Sequence, residues 1–92
     1  METSNDTHTL HVSIVSPERK LFEGEAERIA VPGEMGRFEV RHNHAPIIST
    51  LTAGTVTCVG SETVSIAIAG GFVEVARNVV SVCVEEAATD EA

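Results

Sequence analysis

The sequence predicts a single all-β domain, built as a sandwich or barrel of short strands. Valine, isoleucine and threonine supply 28 of the 92 residues, and these β-branched side chains suit pleated strands better than helices. Apolar and polar residues alternate over short runs that end at turn residues, which is the pattern of strands with one buried face. No segment has the spacing of an amphipathic helix.

Eight or more short strands follow from this pattern, paired largely with antiparallel neighbours. The first is the clearest, because Leu10, Val12 and Ile14 alternate with polar residues. The pair Gly70-Gly71 is interpreted as an interruption between two later strands. In chain order the predicted strands are 10–14, 20–22, 26–31, 36–40, 47–51, 55–59, 64–68, 73–75 and 80–84.

The ends of the chain are small, polar and acidic, so the domain is placed at residues 8–86, with flexible acidic tails at 1–7 and 87–92. The N-terminus lacks the pattern of a signal peptide, and no apolar run reaches membrane-spanning length. A soluble, cytosolic chain is therefore expected. In that compartment Cys58 and Cys83 are predicted to be reduced thiols within strands.

Composition argues against a nucleic-acid partner. The formal net charge is −8, which repels phosphate. Tryptophan and tyrosine are absent and only three phenylalanines occur, so the aromatic surfaces on which single-stranded bases stack are missing.

Two histidines provide the strongest hint of an enzyme. His42 and His44 follow Gly36 with a spacing that half-matches the first metal motif of the cupins, and two such residues could hold a metal. The glutamate that this motif requires is missing, and no histidine follows His44. A complete ligand set is needed for a metal site, so we expect two loop histidines and no metal or cofactor.

Lys20, the only lysine, suggests a second alternative, a carrier domain with a lipoyl or biotinyl group on an exposed hairpin lysine. Carrier domains present that lysine centrally, within a short motif that this sequence lacks. We expect instead a solvated lysine at a strand edge, where its charge discourages pairing with other chains.

Three segments together resemble the epsilon subunit of F-type ATP synthase. The first is Leu10 to Glu18 followed by Phe22-Glu-Gly-Glu25, and the second is Pro32 to Val40 followed by His44-Ala-Pro-Ile47. The third is Gly70 to Val75 with Asn78-Val-Val80. They occur in the order and spacing of that family and cover residues 10–86. The resemblance implies a flattened antiparallel β-sandwich, with two sheets of about five short strands.

The resemblance also implies which residues meet partners. The turn Glu34-Met35-Gly36-Arg37 matches the loop that faces the membrane c-ring, and Arg37 stands where an acidic residue is frequent. Three other positions match residues that face the gamma subunit; these are Ser16, His44 and Ser49. Asn43 replaces a glycine of the family, and asparagine tolerates the left-handed turn expected there.

The function implied by the resemblance is mechanical. A non-catalytic subunit of the central stalk would couple c-ring rotation to gamma during ATP synthesis driven by a proton or sodium gradient. It would lie peripherally at the cytoplasmic face of the energy-transducing membrane, and would be monomeric when isolated. Many members continue into a C-terminal helical hairpin, whereas this sequence stops at Ala92. We therefore expect a short form without hairpin-mediated inhibition or ATP binding.

Overall fold

A computed structural model describes residues 8–87, so the predicted tails at 1–7 and 87–92 lie outside the described residues, apart from Ala87. In this part of the chain every regular element is a strand, and no helix is long and apolar enough to cross a membrane. The eight strands are β1 (Leu10–Val15), β2 (Lys20–Ala26), β3 (Arg28–Gly33), β4 (Gly36–Arg41), β5 (Ile47–Leu51), β6 (Gly54–Val59), β7 (Thr63–Ala76) and β8 (Val79–Glu86).

The strands follow the order β2-β1-β8-β7-β5-β3-β4, and β6 pairs with both β3 and β7. The predicted all-β sandwich is confirmed. The expected division into two separate sheets of about five strands is not observed, because all eight strands belong to one hydrogen-bonded network that runs through β7. The whole sandwich is consequently tied together by backbone hydrogen bonds as well as by its core.

Strand β7 is the element that joins the two halves of the network. Its first part pairs with β6, and its second part pairs with β5 and β8. The predicted interruption at Gly70-Gly71 is wrong, because the strand continues through it with a bulge between Ile68 and Gly70. Gly71 has a φ of +147°, which L side chains rarely adopt. The glycines allow one strand to change partners.

Two further details of the strand prediction need correction. Strands β1 and β8 pair in parallel, from His11 opposite Val79 to Val15 opposite Cys83, so the sheet is not antiparallel throughout. The second strand extends to Ala26, which faces Leu10 on β1, and the third begins at Arg28. Local alternation indicates that a strand exists, but it fixes neither the partner of the strand nor its ends, so it could not predict either detail.

The core is formed by the inward-facing residues that the alternation predicted. On β1, Leu10, Val12 and Ile14 are fully buried, and they are joined by residues from each of the other seven strands. Each such side chain contributes about 1.5–3 kcal/mol when it leaves water. The remaining members of the core are Ala26, Ile29, Val31, Val40, Leu51, Val56, Cys58, Ile68, Val73, Val75, Val80, Val82 and Val84.

Two turns at one end of the sandwich are clamped together. Arg77 and Asn78 both have positive φ, as a two-residue hairpin turn requires. Asn43 also has positive φ, at 66°, which confirms the predicted left-handed geometry. Its backbone N–H donates to Asn78 Oδ1 at 2.6 Å, and Asn78 Nδ2 donates to Asn43 Oδ1 at 3.3 Å. The clamp fixes the loop that carries His44.

Candidate interaction surfaces

The first candidate surface is the turn between β3 and β4, the tip, which consists of Glu34, Met35, Gly36 and Arg37. The Met35 side chain is 97% exposed, so the tip presents an apolar group to solvent. Gly36 takes a φ of +134°, and a Cβ at this position would meet no atom within 4 Å. The Glu34 N–H donates to the Thr50 carbonyl at 2.9 Å, so the tip is attached to β5.

Arg37 is exposed but its guanidinium is engaged within the domain. Nη1 donates to the Thr55 carbonyl at 2.6 Å, and Nη2 donates to Thr57 Oγ1 at 3.3 Å. Among residues 8–87 the guanidinium forms no ion pair with a carboxylate. Its contacts are therefore hydrogen bonds that join the tip to β6.

The second candidate surface is the outer side of β5, β7, β8 and β1, which we call the apolar face. It is defined by Val15, Ile48, Phe72, Val79 and Cys83. Strand pairing places Thr50, Phe72, Cys83 and Val15 side by side in one row. Ile48 is 74% exposed and Phe72 is 47% exposed. In the next row Ile48 lies beside Glu74, which faces Ser81, so the apolar row is bordered by polar residues. An exposed apolar patch with a polar border is typical of a protein interface.

A groove of about 330 Å³ runs along one end of the apolar face. Phe72 and Cys83 line it on the sheet side, and Ser16 and Pro17 line it from the turn after β1. Its surface is almost entirely apolar. The groove could therefore receive an apolar side chain of a partner, as the centres of interfaces commonly do.

The three predicted gamma-facing residues do not form one cluster. Ser16 is 8% exposed and lines the groove, while its hydroxyl and the Arg19 backbone exchange hydrogen bonds. Ser49 pairs with the buried Val73, so it lies on the side of β5 opposite Ile48. His44 is half-buried in the loop before β5, and its Nδ1 lies 2.7 Å from the Ala45 carbonyl. Their role as gamma contacts stays a prediction.

Two prominent residues of the apolar face, Ile48 and Phe72, are absent from the predicted sites. The sequence contained a signal for both. Ile47 and Ile48 are adjacent on one strand, so one of them must point outward. Phe72 precedes Val73 and Val75, which are buried, and alternation therefore sends Phe72 to the outer side.

The histidines do not assemble a metal centre within residues 8–87, where no group of three or more histidine, cysteine or acidic side chains is arranged to hold a metal. His42 instead contacts His8, with ring centroids 5.1 Å apart and ring planes at 85°. Sequence spacing had paired His42 with His44, whereas folding brings His42 against a residue before β1.

Lys20 lies on the edge strand β2 and forms an ion pair with Glu23. The Lys20 ammonium lowers the pKa of the Glu23 carboxyl from its ordinary value of 4.5, with a second contribution from His11, whose Nε2 lies 3.1 Å from the carboxylate. The Thr9 hydroxyl likewise lowers the pKa of Glu25. These groups form a polar network on the outer side of β1 and β2, beside the apolar face.

The exposed tip and the apolar face, held on one hydrogen-bonded body, define a protein-docking domain. Comparison with known proteins identifies its family. Residues 9–90 match the family described as the beta-sandwich domain of the ATP synthase delta/epsilon chain. The chain therefore belongs to this family, as its sequence predicted. With the family, the prediction of a non-catalytic subunit is also confirmed.

Curated relatives agree with this assignment. The ATP synthase epsilon chain of Leptospira borgpetersenii is 40% identical over 91% of this chain and 67% of its own length. The epsilon chain of Maricaulis maris is 45% identical over 85% of this chain but only 59% of its own length. For the epsilon chain of Caulobacter vibrioides the identity is 43%, over 85% of this chain and 92% of the relative. The chain thus spans from about six tenths to nine tenths of these relatives.

Solved structures share the fold. A chain in the cryo-EM structure of the mitochondrial ATP synthase of Euglena gracilis, which includes the c-ring, superposes with a TM-score of 0.81 at 19% identity, covering 92% of this chain and 56% of that one. A chain in the central stalk and c-ring structure of the Tetrahymena thermophila enzyme gives a TM-score of 0.73 at 14% identity, covering 89% and 67%. At these identities the likeness concerns the fold.

Proposed function

We propose that this chain is the epsilon-type subunit of the central stalk and that it couples rotation of the c-ring to the gamma subunit. Its relatives are named ATP synthase epsilon chain. The solved structures with the same fold come from assemblies that contain the c-ring. The subunit has a mechanical role and occupies a peripheral position at the cytoplasmic face of the energy-transducing membrane.

The observation that carries this proposal is the direct connection between the two candidate surfaces. Thr50 accepts the Glu34 N–H from the tip, and Ile48, two residues earlier on the same strand, lies on the apolar face. Torque that enters at the tip is passed to β5 through backbone hydrogen bonds and then to β7 and β8. A closely packed, hydrogen-bonded sheet deforms little, as coupling between two partners requires.

The apolar face is the surface that we assign to gamma. Phe72 lies beside the groove, and Thr50 and Cys83 flank it on the neighbouring strands. Aromatic residues at the centre of an interface commonly dominate its binding energy. Ser16 is close to this centre as part of the groove. The other two predicted gamma contacts lie outside the apolar face, since His44 is in the loop before β5 and Ser49 is on the opposite side of that strand.

The tip is the surface that we assign to the c-ring. Met35 projects without a neighbour and offers an apolar contact, and Glu34 beside it carries a negative charge. The resemblance implies basic c-ring loops, and opposite charges across an interface favour association and fix its register. Glu34, Met35, Gly36 and Arg37 together form the part of the domain that meets the ring.

The proposal is tested by assigning each surface to its partner. Ile48→Asp and Phe72→Asp place a charge on the apolar face, and each should abolish co-elution of the chain with purified gamma. Met35→Ser changes an equally exposed apolar residue outside that face and serves as the matched control. It should leave co-elution with gamma intact.

The assignment of the apolar face fails if the two aspartate variants bind gamma as tightly as the unmodified chain. The whole proposal fails if the unmodified chain does not bind gamma at physiological salt.

A further inference from the structure

Arg37 belongs to the tip, but its side chain bonds to β6 and does not project from the domain as those of Glu34 and Met35 do. A contact residue should present its charge to the partner, yet both terminal nitrogens of Arg37 donate to β6, to the Thr55 carbonyl and to Thr57 Oγ1. The planar guanidinium reaches two acceptors at once with a fixed geometry, which a flexible ammonium does not reproduce. These hydrogen bonds therefore hold the Arg37 side chain against β6.

The backbone explains why a side chain is needed here. Strands β3 and β6 pair from Arg28 opposite Val59 to Ala30 opposite Thr57, and the ladder then stops. Continuing that register would bring Pro32 opposite Thr55, but proline has no N–H to donate. Arg37 faces Pro32 from β4 on the other side of β3. Its guanidinium therefore supplies, across β3, the donor that Pro32 lacks.

The tip is otherwise attached on one side only. The Glu34 N–H bonds to Thr50, and the Thr52 N–H bonds to the Pro32 carbonyl at 2.9 Å, so both of these bonds join it to β5 and the loop that follows. Arg37 adds the connection to β6. With both connections the tip is held between two strands, and only Glu34 and Met35 project freely.

We infer that Arg37 is a positioning residue, which braces the tip against β6 so that Glu34 and Met35 are presented to the partner in a fixed orientation. This inference rests on the proposed function for the identity of that partner. The brace itself is a property of the chain alone. Arg37 thus contributes to docking through Thr55 and Thr57, and its own charge does not contact the c-ring.

The brace is measured first in the isolated 92-residue chain, by amide hydrogen exchange at Glu34 and the neighbouring residues of the tip. Arg37→Gln should accelerate exchange of the Glu34 amide about tenfold, since charge-assisted hydrogen bonds are lost. Thr57→Val keeps the shape of the side chain and the charge of Arg37 but removes one acceptor, and should accelerate it about threefold. The double variant should match Arg37→Gln alone, because the two residues act in one contact.

Arg41→Gln is the matched control, since Arg41 lies on the same strand and pairs with Glu39 outside the tip. It should leave exchange of the Glu34 amide unchanged. The brace is overturned if Arg37→Gln exchanges within twofold of the unmodified chain, or if Arg41→Gln accelerates exchange equally.

The consequence for docking is measured by binding of the gamma-bound chain to purified c-ring. Thr57→Val should weaken binding although it leaves every charge of the tip in place, and Arg37→Lys should weaken it as Arg37→Gln does. Full binding by Arg37→Lys, or unchanged binding by Thr57→Val, would show that the charge of Arg37 acts directly. If the unmodified chain does not bind the c-ring, the proposed function fails, and the exchange measurements still decide whether the brace exists.

Discussion

Replacing Gly71 by alanine tests the role of β7 as the strand that joins the two halves of the sandwich, because this glycine lies where the strand changes its pairing partners. An added Cβ would lie 2.1 Å from the Cys83 carbonyl oxygen and 2.8 Å from the Val84 Cα. Both atoms belong to the backbone of β8, so no change of side-chain rotamer removes the overlap. The strands must separate, or β7 must abandon its φ of +147°.

The expected loss of stability has two sources. A non-glycine residue at such a φ costs about 1–3 kcal/mol, and forcing an extra carbon into a packed site costs about 1–3 kcal/mol more. We expect Gly71→Ala to lower the free energy of unfolding by about 2–6 kcal/mol, the sum of the two. Gly36→Ala isolates the first source, because Gly36 has a φ of +134° with no atom within 4 Å of the added carbon. It should cost about 1–3 kcal/mol.

The assay is urea unfolding followed by far-ultraviolet circular dichroism, since the chain has no tryptophan or tyrosine to report by fluorescence. For a small domain an m-value of about 1 kcal/mol/M converts the expected loss into a midpoint about 2–6 M lower, or into a chain that is unfolded without urea. Gly36→Ala should keep a folded baseline. Equal midpoints for the two variants would refute the reasoning, because the contact with β8 would then carry no cost.

Three further predictions concern the polar network, the clamped turns and the groove. Lys20 and then His11 lower the pKa of Glu23 in the folded chain. The contribution of the Glu23 carboxylate to stability is therefore complete above pH 4.5 and is lost as the pH falls through the lowered pKa. In acid unfolding followed by circular dichroism, the Glu23→Gln variant should lose stability less steeply with falling pH than the unmodified chain. In urea unfolding, Asn78→Ala should lower the stability by about 2 kcal/mol and Asn78→Gly by about 1 kcal/mol. Both variants lose the hydrogen bonds of the clamp, but only alanine is also strained at positive φ. Equal losses of stability in the two variants would contradict this. Iodoacetamide followed by mass spectrometry should modify Cys83, beside the groove, faster than Cys58, whose thiol is buried and has a raised pKa. Bound gamma should protect Cys83 under the proposed assignment, and unaltered labelling would argue against it.

Most of the fold prediction came from the local alternation of apolar and polar residues along the strands. The buried faces of β1 and β8 follow from residues two apart, such as Val80, Val82 and Val84, because a strand sends alternate side chains to opposite sides. Turn chemistry was equally local. Asn43 adopts the positive φ expected of a residue that replaces glycine, and the turn at Arg77 and Asn78 falls in the gap between the strands predicted at 73–75 and 80–84.

The parts that failed depend on contacts between distant segments. The continuation of β7 through Gly70-Gly71 requires β8 alongside it, and glycine in a sequence reads equally as a break or as a bulge. The parallel pairing of β1 with β8 joins the two ends of the domain, and its register is not encoded by either strand alone. For the candidate surfaces, the tip was identified by resemblance, whereas the engagement of Arg37 with Thr55 appears only once β4 and β6 are placed on either side of β3.

The central claim, that the chain couples the c-ring to gamma, is tested most directly by ion pumping in membrane vesicles that contain an ATP synthase stripped of its own epsilon subunit. Adding this chain should restore the number of ions pumped per ATP hydrolysed. A variant with Glu34→Lys and Met35→Ser should bind gamma, because the apolar face is intact, and should fail to restore pumping. Restored pumping by that variant, or pumping that is indifferent to the presence of the chain, would contradict the account.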